Sequence, residues 1–155
     1  MVNSSLRNAL SLQVRRRQLV PHPFLGAWAR IDSYCFKAFL DNVMREQHIN
    51  LGDPVFYEAD EGSGMYFVIA GTLSYKPGPF AREASFPPGD ERLHCNLGDF
   101  CAEVALWYKW IHVGTMTALA TTELLIIDAS SCTTDFLLRY PVAEKVLRSY
   151  VMAFE

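Results

Sequence analysis

Two residues of this 155-residue chain have the types and setting for ligand chemistry. Glu103 sits inside the short apolar run Ala102-Glu103-Val104-Ala105-Leu106, and His112 follows at the start of a β-like segment. A carboxylate among apolar neighbours needs a partner such as ligand hydroxyls, or it must lie at an edge. A short helix beginning just after Asp99-Phe100 would turn free backbone N–H groups toward a bound anion. The small Ala102 and Ala105 would let a ligand come close to that backbone. On spacing alone two readings stand: Glu103 is a ligand-binding carboxylate, or it is an edge residue and Ala102–Leu106 is core.

The remaining chemistry-bearing residues do not converge on catalysis. His22, His48, His94 and His112 include no two within five residues of each other, so a histidine-rich metal site lacks its spacing. The serines lack a Gly-x-Ser-x-Gly elbow. There is no Walker loop, and Gly62-Ser63-Gly64 is too short for a dinucleotide fingerprint. The chain reads as a non-enzyme requiring no metal and no cofactor, with a cupin-like metalloenzyme as the catalytic alternative. Cys35, Cys95, Cys101 and Cys132 form no C-x-x-C pair and read as free thiols of a reducing cytosol.

Bulk properties bound the rest. Half the residues are apolar and 13% aromatic, enough for one domain with a buried core. A net charge of −3 gives no overall attraction to nucleic acid or an anionic membrane. No apolar run approaches the ~18–20 residues of a membrane helix, so no insertion of this chain is expected. The start lacks a signal-peptide pattern, and the triplet Asn3-Ser4-Ser5 then reads as a chance glycosylation match.

The elements that must position Glu103 and His112 follow from periodicity. Leu6, Leu10, Val14 and Leu19 suggest one face of a helix over 6–20, capped by Ser4 or Ser5 and stopped by Pro21 and Pro23. Arg15-Arg16-Arg17 reads as a solvated face or a helix end. A helical pattern runs from Ala27 to Arg45, with Asp32-Ser33 as a start inside it and Phe24 and Trp28 packing the corner. Beyond His48 the pattern turns β. Ile49, Leu51, Val55 and Tyr57 alternate around Gly52-Asp53-Pro54, and 65–75 is strand broken by Gly71. The Pro- and Gly-rich 77–92 is a long loop, Leu93-Cys95-Leu97 a short strand, and 115–127 two strands about a turn at 120–122. Helix returns at 135–139 and after Pro141. Leu-Gly-Asp occurs at 51–53 and again at 97–99, as at equivalent corners of a roll. The expected fold is α+β: a β-roll, that is a jelly-roll-like antiparallel barrel, flanked by N- and C-terminal helices.

Four stretches make the chain resemble a cyclic-nucleotide-binding domain, most closely the cytosolic gating domain of cyclic-nucleotide-gated, hyperpolarisation-activated and related potassium channels. They are Leu6-Arg7 through Phe24, Leu51 through Gly71, Leu97 through Ala118, and Leu137 to Pro141. The family cassette Gly-Asp-x-Phe-Gly-Glu-x-Ala-Leu keeps Gly98, Asp99, Glu103, Ala105 and Leu106 here. The resemblance implies a short phosphate-cassette helix, with Glu103 on the ribose 2′-hydroxyl and backbone N–H groups near Ala105 facing the cyclic phosphate. It places Leu93 and Cys95 along the purine and makes Ala102, Val104, His112 and Val113 pocket residues. The departures are specific. Cys101-Ala102 replaces Phe-Gly, His112 replaces the phosphate arginine, Val113 replaces a small or hydroxyl residue, and Trp107, Tyr108 and Trp110 fill the following loop.

An arginine offers phosphate a permanently charged fork, whereas histidine near its ordinary pKa of about 6.5 is mostly neutral at pH 7. Losing one charge-assisted bond costs roughly 1.5–3 kcal/mol, about tenfold to a hundredfold in affinity. The resemblance therefore implies a regulatory gating domain of a cation channel whose cAMP or cGMP binding is weak or lost. The alternatives are a working sensor using His112, or a stand-alone regulatory module. An apolar or protein-derived ligand is a further alternative. The resemblance divides the chain into a linker-like segment, 1–23, and a binding domain, 24–155, whose last helix is cut short. It also implies a cytosolic location and other subunits of a channel tetramer as partners. Nucleic acid is not an expected partner.

Overall fold

Asn3, rather than Ser4 or Ser5, caps the first helix: its side-chain oxygen accepts from the Ser5 backbone N–H at 3.3 Å. The computed structural model describes residues 3–79, 81, 93–132 and 139–153. Helix α1 spans Ser4–Leu19 and ends before Pro21, with Arg16 and Arg17 in its last turn. Its apolar residues do not share one face. Leu19 is fully buried, but Leu6, Leu10 and Val14 are each more than half exposed. The step from Val14 to Leu19 is five residues, which rotates about 140° away from the i, i+4, i+8 stripe.

Helix α2, Pro23–Ile31, starts with proline at its first turn, where a missing N–H costs nothing. Asp32 ends α2 and caps α3, Ser33–Asn42, accepting from Cys35 N–H at 2.9 Å. This is the interior helix start expected at Asp32-Ser33. Trp28 lies between Phe36 and Phe39, with ring centroids 5.6 and 4.8 Å away, and Phe24 packs on both Trp28 and Tyr150. Tyr150 belongs to α4, Pro141–Met152. These residues belong to one of two compact units, formed by 1–44 and 127–155; the other is 45–126.

Among the described residues eight strands follow α3: β1 Met44–Ile49, β2 Pro54–Phe56, β3 Gly64–Ala70, β4 Leu73–Pro77, β5 Leu93–Cys95, β6 Phe100–Cys101, β7 Gly114–Ala118 and β8 Thr122–Asp128. They form two four-stranded sheets, ordered β1-β8-β3-β6 and β2-β7-β4-β5, with antiparallel pairing. Among the described residues no closed barrel forms. One core gathers alternate residues of both sheets, including Tyr66 and Val68, Leu124 and Ile126, and Met116 and Ala118. Met65, Phe67, Leu125 and Ile127 are buried as well, so β3 and β8 are buried on both faces.

Strand β1 begins at Met44, inside the stretch that periodicity assigns to helix, because Met44 pairs into a sheet rather than continuing the helix. The alternation read from Val55 and Tyr57 also shifts. A register irregularity between Pro54 and Phe56 places Phe56 in the core and leaves Tyr57 56% exposed. The helix expected at 135–138, most of the loop at 80 and 82–92, and Phe154 lie outside the described residues.

The two Leu-Gly-Asp corners are equivalent in detail. Each is an Asn-Leu-Gly-Asp turn in which the Asn carbonyl accepts from the Asp N–H, at 3.0 Å for residues 50–53 and 2.9 Å for 96–99. The glycines have φ of +86° and +89°, the region a type II turn demands at its third position. Gly52 N–H donates to the Ala118 carbonyl and Gly98 N–H to that of Val68. Ala118 and Val68 in turn donate to Asp53 and Asp99. One corner leads into β2 and the other into β6.

Candidate functional site

The second corner delivers the chain directly into the cassette. After β6, Ala102 adopts a left-handed conformation, φ +61°, and a single 3-10 turn spans Glu103–Leu106. This turn stands where a short cassette helix is expected. Glycine is the residue for that conformation, and alanine holds it at a cost of roughly 1–2 kcal/mol. Ala105 and Leu106 are buried, whereas Ala102, Glu103 and Val104 are partly exposed. Ala102 packs against the β-core, and the turn packs against β3.

The segment 58–62 holds both ends of the cassette. Gly62 approaches the turn so closely that a Cβ there would stand 2.9 Å from the Ala105 Cβ and 3.2 Å from the Trp110 ring. Its N–H donates to the Trp110 carbonyl at 2.8 Å, Glu61 bridges Ile111, and His112 N–H donates to the Asp60 carbonyl at 2.9 Å. The His112 carbonyl accepts from Ala59 N–H at 2.8 Å. Ala59 lies in a turn closed by the Asp60 carboxylate on Tyr57 N–H, again with positive φ, +70°.

His112 is buried, 4% exposed, and its imidazole lies flat on Phe56, centroid to centroid 3.6 Å with 8° between planes. Burial holds its pKa below the ordinary 6.5, and the nearby Asp60 carboxylate offsets this only in part. The ring is therefore a neutral stacking group at pH 7. Val113 is half-buried, and its carbonyl accepts from Gly78 N–H.

The expected purine-side residues are the two ends of β5, on one face of the strand. Leu93 sits at the start of β5 opposite Tyr75 and is 36% exposed. Cys95, at the other end of β5, faces the β-core and hydrogen-bonds through its side chain to Cys101, which immediately precedes Ala102. All four cysteines are free thiols. The structure thus brings Cys95 to the cassette entrance and Ala105 and His112 to one backing segment. Neither the stacking of His112 on Phe56 nor the Cys95–Cys101 contact is legible in the sequence. Phe56 is hidden by the β2 irregularity, and the thiol contact needs the Asn96–Asp99 turn to fold. Among the described residues no cluster of three or more His, Cys, Asp or Glu side chains is placed to hold a metal. None of the described helices is long and apolar enough to cross a membrane.

No family model matches the chain. A Rhodopseudomonas palustris protein provisionally named a potassium channel protein is 23% identical over 126 residues, covering 79% of this chain. The chain spans 29% of that relative's length. Among solved structures, the N-terminal domain of a Streptomyces coelicolor A3(2) transcriptional regulator aligns with TM-score 0.69 and 20% identity, covering 88% of each chain. The sensor domain of the transcriptional regulator DNR from Pseudomonas aeruginosa gives 0.65 and 16%, over 92% of this chain and 87% of that one. The Thermus thermophilus catabolite activator protein gives 0.57 and 17%, over 81% of this chain and 56% of that one. The fold, two antiparallel sheets together with helices, is the one these regulator domains share with this chain.

Proposed function

We propose that this domain is a regulatory module whose cassette binds cAMP or cGMP weakly or not at all, and that it serves as the gating domain of a cation channel. The observation carrying the first half is the state of His112. At the position that resembles the family's phosphate arginine stands a buried, neutral ring stacked on Phe56. It brings no positive charge to a phosphate, and the charge-assisted bond it forgoes is worth roughly 1.5–3 kcal/mol. Trp110 and Ala105 packed on Gly62 further support a filled pocket wall. The channel context is supported by the named relative. In this reading 1–23 is the linker-like segment, 24–155 the regulatory domain, and the partners are other channel subunits at the cytosolic side. The role is non-catalytic.

Calorimetric titration with cAMP and with cGMP, at about pH 7.5 and pH 6, tests the pocket beside a His112→Arg variant. The expected result is weak wild-type binding at both pH values and a gain of roughly tenfold or more in the variant. Tight wild-type binding that does not change with pH overturns the weak-pocket reading. Wild-type affinity that rises as pH falls favours the working sensor, with the imidazolium as phosphate contact. An unresponsive variant that still folds points to closure of the pocket by the Trp107–Trp110 loop.

A further inference from the structure

We propose that Cys95 and Cys101 form a reversible thiol–disulfide pair at the entrance of the cassette, taking a low-molecular-weight disulfide such as glutathione disulfide as oxidant. Cys95 ends β5, paired opposite Leu73, and Cys101 ends β6, paired opposite Tyr66. The Asn96–Asp99 turn folds the chain back between them, held by the Asp99 N–H on the Asn96 carbonyl and the Asp99 carboxylate on Asn96 N–H at 2.8 Å. The two strands belong to different sheets, yet both side chains pack against the same core and touch each other. Both are half-buried rather than sealed, in contrast to Cys35 and Cys132, which are 1% and 3% exposed.

The chemistry divides the pair into two roles. Cys101 S–H donates to the Cys95 sulfur, which lowers the Cys95 pKa and, with burial, raises that of Cys101 well above the thiol range. Cys95 is the attacking thiolate. Its sulfur displaces one glutathione thiolate, which takes up a proton, leaving a Cys95–glutathione mixed disulfide. Cys101 then loses its proton to solvent, and its sulfur attacks the Cys95 sulfur and releases the second glutathione. Two protein thiols are oxidised by two electrons, and one glutathione disulfide is reduced to two glutathiones. Burial pushes Cys35 up to about 11 and Cys132 up to about 12, so neither competes at neutral pH. The new bond ties β5 to β6 one residue before the left-handed Ala102, and so restrains the start of the cassette turn. The loop it closes is short, so it acts on local geometry more than on global stability.

The test is wild-type protein equilibrated with glutathione disulfide at neutral pH, acid-quenched, denatured, alkylated and weighed intact. Two of the four thiols are expected to escape alkylation, in one peptide pair linking Cys95 to Cys101, and dithiothreitol is expected to restore all four. Cys101→Ser is expected to stop as a glutathione adduct on Cys95, forming faster than any adduct on the more deeply set Cys101 in Cys95→Ser. Four alkylated thiols in the oxidised wild type, a disulfide that includes Cys35 or Cys132, or equal adduct rates in the two variants overturns the proposal.

Discussion

The 97–113 stretch departs from the cyclic-nucleotide cassette pattern it resembles one residue at a time, and each departure has a local physical meaning. Ala102 keeps the left-handed turn that a glycine would make without strain, φ +61°. Ala102→Gly is expected to raise stability by about 0.5–1 kcal/mol: relief of roughly 1–2 kcal/mol of strain, reduced by the greater freedom of glycine in the unfolded chain. Urea-unfolding midpoints of the two proteins check this, and a lower midpoint for the variant would show that Ala102 is not strained. His112 departs differently. It has become part of the core, through Phe56 and two backbone hydrogen bonds to 59–60, so replacing it changes packing as well as charge.

Elements carry the repetition that places these residues. The paired Asn-Leu-Gly-Asp corners aim β2 and β6 in equivalent ways, and both glycines have open space around the missing Cβ. Gly71, between β3 and β4, differs. It also has positive φ, +88°, but a Cβ there would lie 2.5 Å from Thr122 Oγ1 and 2.6 Å from the Thr121 carbonyl. Gly52→Ala and Gly98→Ala are therefore expected to cost about 0.5–1 kcal/mol each, backbone strain reduced by the lower freedom of alanine in the unfolded chain. Gly71→Ala should cost a further ~1–3 kcal/mol for the overlap. Denaturant unfolding of the three variants compares them directly; equal losses would mean that the β3–β4 turn relaxes without penalty. The equivalence of the corners was legible in the repeated tripeptide. The β2 irregularity was not, because Pro54 to Tyr57 alternates equally well in two phases and only pairing with β7 selects one.

At the scale of the whole molecule, the buried histidine couples folding to pH. The folded chain holds a proton on His112 less readily than the unfolded chain does, since burial lowers its pKa from 6.5. As pH falls toward that ordinary value the unfolded state binds more protons, and stability drops. The His112 contribution is fully present above about pH 6.5 and is lost as pH falls through the lowered folded value. Urea midpoints should fall between about pH 7 and pH 5.5 in the wild type and fall less in His112→Phe, which keeps a ring on Phe56. Equal falls in both proteins would assign the effect to other groups.

The α+β class, the first helices, most of the later strands and the turns at glycine followed from sequence alone, because periodicity, capping and turn chemistry act within a few residues. Proline placed the break between α1 and α2, and Asp32 the break between α2 and α3, by the same local physics. Tertiary structure alone decided which β2 residue faces the core, that Leu6, Leu10 and Val14 stay exposed, and that Cys95 meets Cys101. It also decided the state of His112. The sequence sets a histidine where the resembled pattern has arginine, but a histidine's charge is set by burial, by a ring 56 residues earlier in the chain and by Asp60, all of which exist only in the fold.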